Sequence, residues 1–449
     1  MIQFLVAAPA SGSGKTTLTC ALLTALKQRG FDPCAFKCGP DYIDPMFHRA
    51  VLGVASHNLD LYFSSPDTVR RLYAEGLAGH GAAVCEGAMG FYDGLGGVST
   101  TASAWHTAEV LDLPVLLVVQ PKGASLTLAA QINGLKNFRS PSHLAGILLN
   151  GCSPSLYALL APMLERETGV PVLGYLPRLP EGVVESRHLG LKTAAEIPDL
   201  QQKICRLGQA LVVDWQRLED ITSRPAPAAV SRQTLPVRCR IGVAQDEAFC
   251  FTYAETLEAL EQQGVQPVFF SPLRDKALPE NIGGLYLPGG YPELYASALS
   301  GNLSMRESVR CRVQAGLPTV AECGGFLYLG QSLEDPEGVC HPMAAVLPGQ
   351  GCRVGRLVRF GYAGLTARGD SMLFRAGETL PVHEFHHWDS TANGTAFSAA
   401  KANGKSWQCG YANEHLYAGF PHLYWAGTAL PRRFAEAAQQ YQKQEEDHT

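Results

Sequence analysis

The sequence has no Cys-x-x-Cys pair among its 13 cysteines, no excess of positive charge, and no apolar run near the ~18 uninterrupted residues of a membrane span. An odd number of cysteines, diluted over 449 residues, excludes a disulfide scaffold and points to reduced thiols. Lys+Arg 36 against Asp+Glu 41 gives 36 − 41 = −5, so no global field holds nucleic acid or an anionic membrane, and an anionic ligand must be met locally. The amino-terminal stretch MIQFLVAAPASGSGKTT has no basic segment before its short apolar run, from which a soluble cytoplasmic protein is expected. A repeat of about 20 to 50 residues, the mark of a solenoid, is also missing.

What is present is a globular composition, 46% hydrophobic and 17% charged, with 46 Gly and 29 Pro. One core rarely grows past about 250 to 300 residues, so the length predicts two domains. In the first half, the runs IQFLVAA, AAVCEGAMG, PVLLVVQ, LAGILLN and VPVLGYLP alternate with amphipathic stretches, as βαβ units around a parallel sheet do. The second half restarts with RIGVAQD, VQPVFF, GGLYLPGG and PTVAECGG, and after about Gly351 aromatic and β-branched runs predict added antiparallel strands. The expected fold class is α/β, a P-loop doubly wound parallel sheet followed by a second α/β domain. Its expected boundaries are 1–217, a Pro-rich linker at 218–238, a second domain at 239–440 and a frayed polar tail at 441–449.

Ser11-Gly12-Ser13-Gly14-Lys15-Thr16-Thr17 follows the first strand and opens a helix. Glycines admit phosphate to backbone N–H groups, Lys15 reaches the outer phosphates, and Thr16 is a Mg²⁺ ligand. Pro9 stands where the usual phosphate-loop pattern has Gly. Lys37 and the pair Asp41 and Asp44, in KCGPDYIDP, follow the next strand at the edge where α/β sheets collect ligands. Glu86, ending AAVCE, is a candidate second Mg²⁺ ligand, and Asp93 lies in the Gly-rich loop beyond it. The Lys37–Asp44 segment and Asp93 also have a plainer reading as solvated turn residues.

In the second half, Thr319 to Glu322 runs into Cys323, Gly324 and Gly325 and then a helical pattern. A sharp strand-to-helix turn of this kind exposes a nucleophilic thiol. Backbone N–H groups at Gly290, in LPGGYPE, and at Gly324 are candidate oxyanion donors, and His422 is the candidate base. The other twelve cysteines lack this setting and read as inert. His383-Glu384-Phe385-His386-His387 satisfies the zinc-peptidase pattern H-E-x-x-H, but that pattern needs a helix, and Pro381 with its β-type neighbours predicts a strand.

Taken together with SRHLGL, QDEAFCFTY, FFSPLRD, ECGGFLYLG and HEFHH, these motifs resemble the cobyrinate a,c-diamide synthase family over nearly the whole chain. The resemblance implies an amino-terminal ATP-binding domain similar to dethiobiotin synthetase and a carboxy-terminal class I glutaminase domain. It implies a ligase that hydrolyses glutamine at Cys323, with His422 as base, and amidates a corrinoid polycarboxylate through acyl phosphates. It places ATP on Gly12, Ser13, Gly14, Lys15, Thr16, Thr17 and Asn150, Mg²⁺ on Thr16 and Glu86, and substrate near Lys37, Asp41, Asp44 and Asp93. Tyr42, Phe91, Tyr92, Arg187 and His188 are further substrate candidates, the aromatics having loop anchoring as their alternative.

Two positions depart from the family pattern. Gln120 stands where the strand VLLVV usually ends in Asp, and Tyr424 replaces a second His, leaving no Glu there to orient the imidazole. Ni-sirohydrochlorin and hydrogenobyrinate remain rival substrates, and whether the protein forms a homo-oligomer is left open. A partition ATPase is the reading of another class, against which Ala10 stands where such switches carry a second lysine.

Overall fold

The computed structural model describes residues 1–179, 200–228 and 234–447, and the chain divides into two compact units, Met1–Ser231 and Arg232–Thr449. Unit one is an eight-stranded sheet. In chain order its strands are β1 (Ile2–Ala7), β2 (Pro33–Cys38), β3 (Ser56–Leu59), β4 (Ala82–Glu86), β5 (Val115–Val119), β6 (Leu144–Asn150), β7 (Val172–Leu176) and β8 (Val212–Val213). They lie in the order β3-β2-β4-β1-β5-β6-β7-β8, parallel except for the last. All six residues of β1 and all five of β5 are buried, because helices cover both faces; this is why they read as unbroken apolar runs.

Three helix starts in this unit are set by serine. Ser65, Ser103 and Ser153 each accept a hydrogen bond from a backbone N–H three residues on, and Pro66 and Pro154 occupy the first helical turn. Helix α1 (Lys15–Gln28) is different. Gly14 precedes it with φ 89°, no side chain caps it, and no acidic residue occupies its first turn. Its leading N–H groups are thus left for an anion.

Unit two has a six-stranded sheet built on β9 (Cys239–Ala244), β10 (Val265–Phe270), β11 (Gly284–Leu287) and β12 (Thr319–Glu322), with Leu416–Gly419 and Tyr411–Ala412 beyond β12. All neighbours are parallel except the last pair. The antiparallel strands expected after Gly351 are there, in a five-stranded sheet that includes Arg359–Ala367, Thr379–His386 and His422–Leu423.

Two ends differ from expectation. The helix Trp215–Thr222, started by Asp214, packs Leu218 into the first core, so unit one runs past residue 217. The expected tail is helical through Asp447 and not frayed: Tyr441 packs on the second core and Gln442 Oε1 accepts from Arg240 N at 3.3 Å. Among the described residues no helix is long and apolar enough to cross a membrane.

Candidate active sites

In unit one, the loops after the strands surround a cleft of about 830 Å³ lined by the phosphate loop, Lys37, Asp44, Glu86 and Asn150. This is the carboxyl edge where parallel sheets bind ligands. Lys15 donates to the carbonyls of Ala10 and Met89, and burial, with Lys37 next in weight, brings its pKa down to about 8. Ser13 turns its hydroxyl to Ala10 O (2.9 Å), and Asn150 Nδ2 donates to Ser13 O (3.1 Å). A Cβ at Gly14 would stand 2.0 Å from Asn150 Nδ2, so β6 closes directly on the loop.

Lys37, expected near the substrate, is not a free cation that could meet an anionic ligand. It is 5% exposed and bridges Asp44 and Glu86, the latter at 2.7 Å, with Asp41 at 3.9 Å. Burial works against its charge, but Asp44 and Glu86 outweigh it and raise its pKa well above the ordinary lysine value. Burial pushes Glu86 up to about 7, against the pull of Lys37. Thr16 Oγ1 reaches Glu86 Oε1 at 2.5 Å and Asp44 Oδ2 at 3.3 Å. Glu86 Oε2 is buried without a hydrogen-bond partner among the described residues. One hydroxyl and two carboxylates, with an oxygen in want of a partner, form a donor set that suits Mg²⁺.

The other expected residues divide between the cleft and the loops around it. Asp41 lines the cleft, but its Oδ1 accepts from Ile43 N and Asp44 N, so it also ties the turn. Asp93 is exposed, and its carboxylate accepts from Gly90 N (3.0 Å) to close a turn. Tyr42 and Phe91 are buried, and Tyr92 packs on Phe91 and Phe138 while donating to Leu135 O (2.7 Å). These rings anchor loops, and none of the three lines the cleft. Gln120 does line it. Arg187 and His188 fall outside the described residues. The sequence reading passed over Lys122 and Arg178, which line the cleft from the segments after β5 and β7. Their signal was position, since the residues that follow parallel strands share one sheet edge.

In unit two, Cys323 sits between β12 and the short helix Gly324–Leu329 with φ 47° and ψ −100°, a conformation rare for a residue with a side chain. A sharp strand-to-helix turn is the local shape expected here. The thiol is 7% exposed, and burial, followed by Glu293 and Glu384, pushes its pKa far up. It rests as a thiol and needs a base. A Cβ added to Gly289 would lie 2.6 Å from His422 Cε1 and 3.5 Å from Cys323 Cβ, so imidazole and thiol flank one glycine. A Cβ on Gly324 would lie 3.1 Å from Gly290 N, so the two candidate oxyanion positions adjoin.

An acid does face the imidazole, but it comes from outside the segment around Tyr424. Glu322 Oε2 is 3.6 Å from His422 Nδ1. The H-E-x-x-H segment is largely the strand Thr379–His386, where Glu384 Oε2 is engaged by His386 Nε2 at 3.0 Å; the helix that a zinc site of this pattern requires is not formed.

The family model described as CobQ/CobB/MinD/ParA nucleotide binding domain matches residues 4–188, and that of the CobB/CobQ-like glutamine amidotransferase domain matches residues 240–429. A cobyrinate a,c-diamide synthase of Clostridium acetobutylicum is 38% identical over 437 residues, 95% of this chain and 98% of its own. Those of a Synechococcus strain and Salmonella typhimurium are 37% and 38% identical, covering 98% and 94% of this chain and 99% and 95% of theirs. With both catalytic units matched and relatives aligned almost end to end, the chain belongs to the cobyrinate a,c-diamide synthase family of glutamine-dependent ligases.

Proposed function

We propose that the protein amidates the a and c acetate carboxylates of cobyrinate, using ammonia from glutamine and one ATP for each amide. The observation that carries this reading is the presence, in one chain, of an uncapped phosphate-binding helix start and a thiol on a strained turn beside a histidine. The first activates a carboxylate; the second releases nitrogen.

In unit two, the Cys323 proton passes to His422 and the thiolate attacks the glutamine side-chain carbonyl. Gly290 N–H and Gly324 N–H are the donors for the oxyanion that forms. When the C–N bond breaks, His422 returns the proton to the leaving nitrogen and ammonia departs; water then hydrolyses the thioester and glutamate leaves. In unit one, a carboxylate oxygen of the substrate attacks the γ-phosphorus of ATP, ADP leaves, and an acyl phosphate results. Ammonia adds to its carbonyl, phosphate departs and a proton is lost, giving the amide. A free carboxylate is too poor an electrophile for this, which is why ATP is needed.

Lys15 and the N–H groups of the phosphate loop hold the outer phosphates. Thr16 and Glu86 would hold Mg²⁺, which when bound offsets charge on the phosphate oxygens. Asn150, beside the phosphate loop, would contact the nucleotide, and Asp41, which lines the same cleft, would tell a free carboxylate from an amide already made, a difference of charge at similar shape. Because Lys37 is spent on Asp44 and Glu86, the polyanion must find other cations, and Lys122 and Arg178 are at hand.

Competition tests the reading. Purified protein would receive cobyrinate, hydrogenobyrinate and Ni-sirohydrochlorin at equal low concentration with ATP, Mg²⁺ and glutamine, and products would be weighed by mass spectrometry. Cobyrinate a,c-diamide is expected first; faster turnover of either rival ring overturns the choice of substrate.

A further inference from the structure

One buried charge in unit two has no part in the chemistry above. Glu322, the last residue of β12 and the chain neighbour of Cys323, is 0% exposed. Its oxygens receive long bonds from neutral donors, Trp425 Nε1 to Oε1 and Tyr286 Oη to Oε2, both at 3.4 Å. No lysine or arginine pairs with it among the described residues. A carboxylate buried on such terms is costly unless a cation answers it. The group in front of it is the His422 ring, with Nδ1 at 3.6 Å from Oε2. The position two residues beyond the base holds Tyr424, itself buried, which carries no charge to do this.

We propose that Glu322 is the acid that orients His422 and steadies the imidazolium formed when Cys323 gives up its proton. The proposal rests on the assignment of Cys323 and His422 to glutamine hydrolysis. Glu322 touches the base and not the substrate, so it is a positioning residue. A carboxylate facing Nδ1 keeps the ring proton on that nitrogen and leaves the Nε2 lone pair to receive the proton from Sγ. On transfer the ring becomes a cation and the 3.6 Å separation gains a full ion pair; when Nε2 gives its proton to the leaving nitrogen, the ring is neutral again. His383, the strand partner of His422, also lies beside it, and burial keeps it neutral, so it cannot steady a cation.

The acid and the nucleophile are adjacent in sequence, and this is what makes the arrangement work. β12 fixes Glu322 in the buried sheet and Cys323 follows at once on the strained turn, with the His422 ring 3.6 Å from Glu322 on one side and, with Cys323 Cβ, against Gly289 on the other.

The test is glutamine hydrolysis by the full-length protein without any tetrapyrrole, alongside ammonia-dependent amidation. Glu322→Gln should lower kcat for hydrolysis by on the order of 10² to 10⁴, with KM for glutamine within about threefold, since geometry is kept and the ring tautomer is lost. Ammonia-dependent amidation should stay within about twofold of the unchanged protein. Glu322→Asp should recover at least about tenfold of the loss. A kcat for Glu322→Gln within about threefold of the unchanged protein overturns the proposal. So does equal loss in both variants accompanied by loss of ammonia-dependent amidation, which would make Glu322 a residue of the fold. Cys323→Ala, run in parallel, separates the two readings: if it still hydrolyses glutamine, the glutaminase assignment itself fails.

Discussion

Both units place their candidate chemical groups where a buried parallel strand turns into a helix, yet they prepare that turn in opposite ways. In unit one the turn is permissive: Gly12 and Gly14 take positive φ, as glycine readily does, and the site is then gathered by charge, Lys37 drawing Asp44 and Glu86 together beneath Lys15 and Thr16. In unit two the turn is strained at a residue that has a side chain, and the site is set by backbone shape, with Gly289, Gly290 and Gly324 packed so tightly that none has room for a Cβ. Phosphate is large, charged and satisfied by many donors, so an open cleft with a rich field suits it. A thiol that must reach one carbon suits a rigid corner.

The sharpest way to break this comparison is to remove one group from each turn. Cys323→Ala should cut glutamine-dependent amidation by on the order of 10⁴ or more while free ammonia still supports the reaction. Lys15→Ala should cut both by on the order of 10³ or more, because the acyl phosphate is needed whichever nitrogen source is used. Rescue of Lys15→Ala by ammonia, or failure of ammonia to rescue a folded Cys323→Ala, would show that the two activities are not divided as described.

A methyl group at each turn tests permissive against rigid. In Gly14→Ala the new Cβ has Asn150 Nδ2 2.0 Å away, a side-chain end that can move, whereas in Gly290→Ala it meets the carbonyl of Ala248 at 2.1 Å, which cannot. Gly14→Ala should raise KM for ATP about tenfold and cost about 1 to 2 kcal/mol for a left-handed alanine. Gly290→Ala should lower glutaminase kcat by on the order of 10² and leave ammonia-dependent turnover alone. Steady-state kinetics with each nitrogen source, with urea melts for stability, would read both; a Gly14→Ala loss confined to one nitrogen source, or a Gly290→Ala loss equal with both, would deny the division.

The smallest effect concerns Tyr92. As a loop anchor, Tyr92→Phe loses its bond to Leu135 O and about 1 kcal/mol of stability, with KM for the tetrapyrrole unchanged within about twofold. A several-fold rise in that KM would return Tyr92 to the substrate.

Local features were legible in the sequence and long-range partnerships were not. SGSGKTT after an apolar strand and ECGG before a helical pattern each signal a turn whose geometry its own residues dictate, and both turns are there. Lys37 read as a substrate-side residue because its partners Asp44 and Glu86 come together only when β2 and β4 pair, with Lys37 opposite Glu86 in register. Glu322 was passed over for a similar reason. It lies 100 positions before His422 in the chain, and only the return of the strand His422–Leu423 brings the imidazole to it. Tyr441 and Gln442 sit in a polar stretch whose composition carries no sign of the core and the strand that hold them.

That separation has a bearing on synthesis. A ribosome delivers Cys323 well before His422, and Thr319–Glu322 does not gain its outer strand neighbour until Leu416–Gly419 has emerged. Everything in the nucleotide cradle, from Gly12 to Asn150, is by then long out of the tunnel. A nascent chain therefore carries a thiol without its base while the ligase half is already able to fold. Until Leu416–Gly419 and His422 have emerged, a chain whose ligase half is folded cannot draw nitrogen from glutamine.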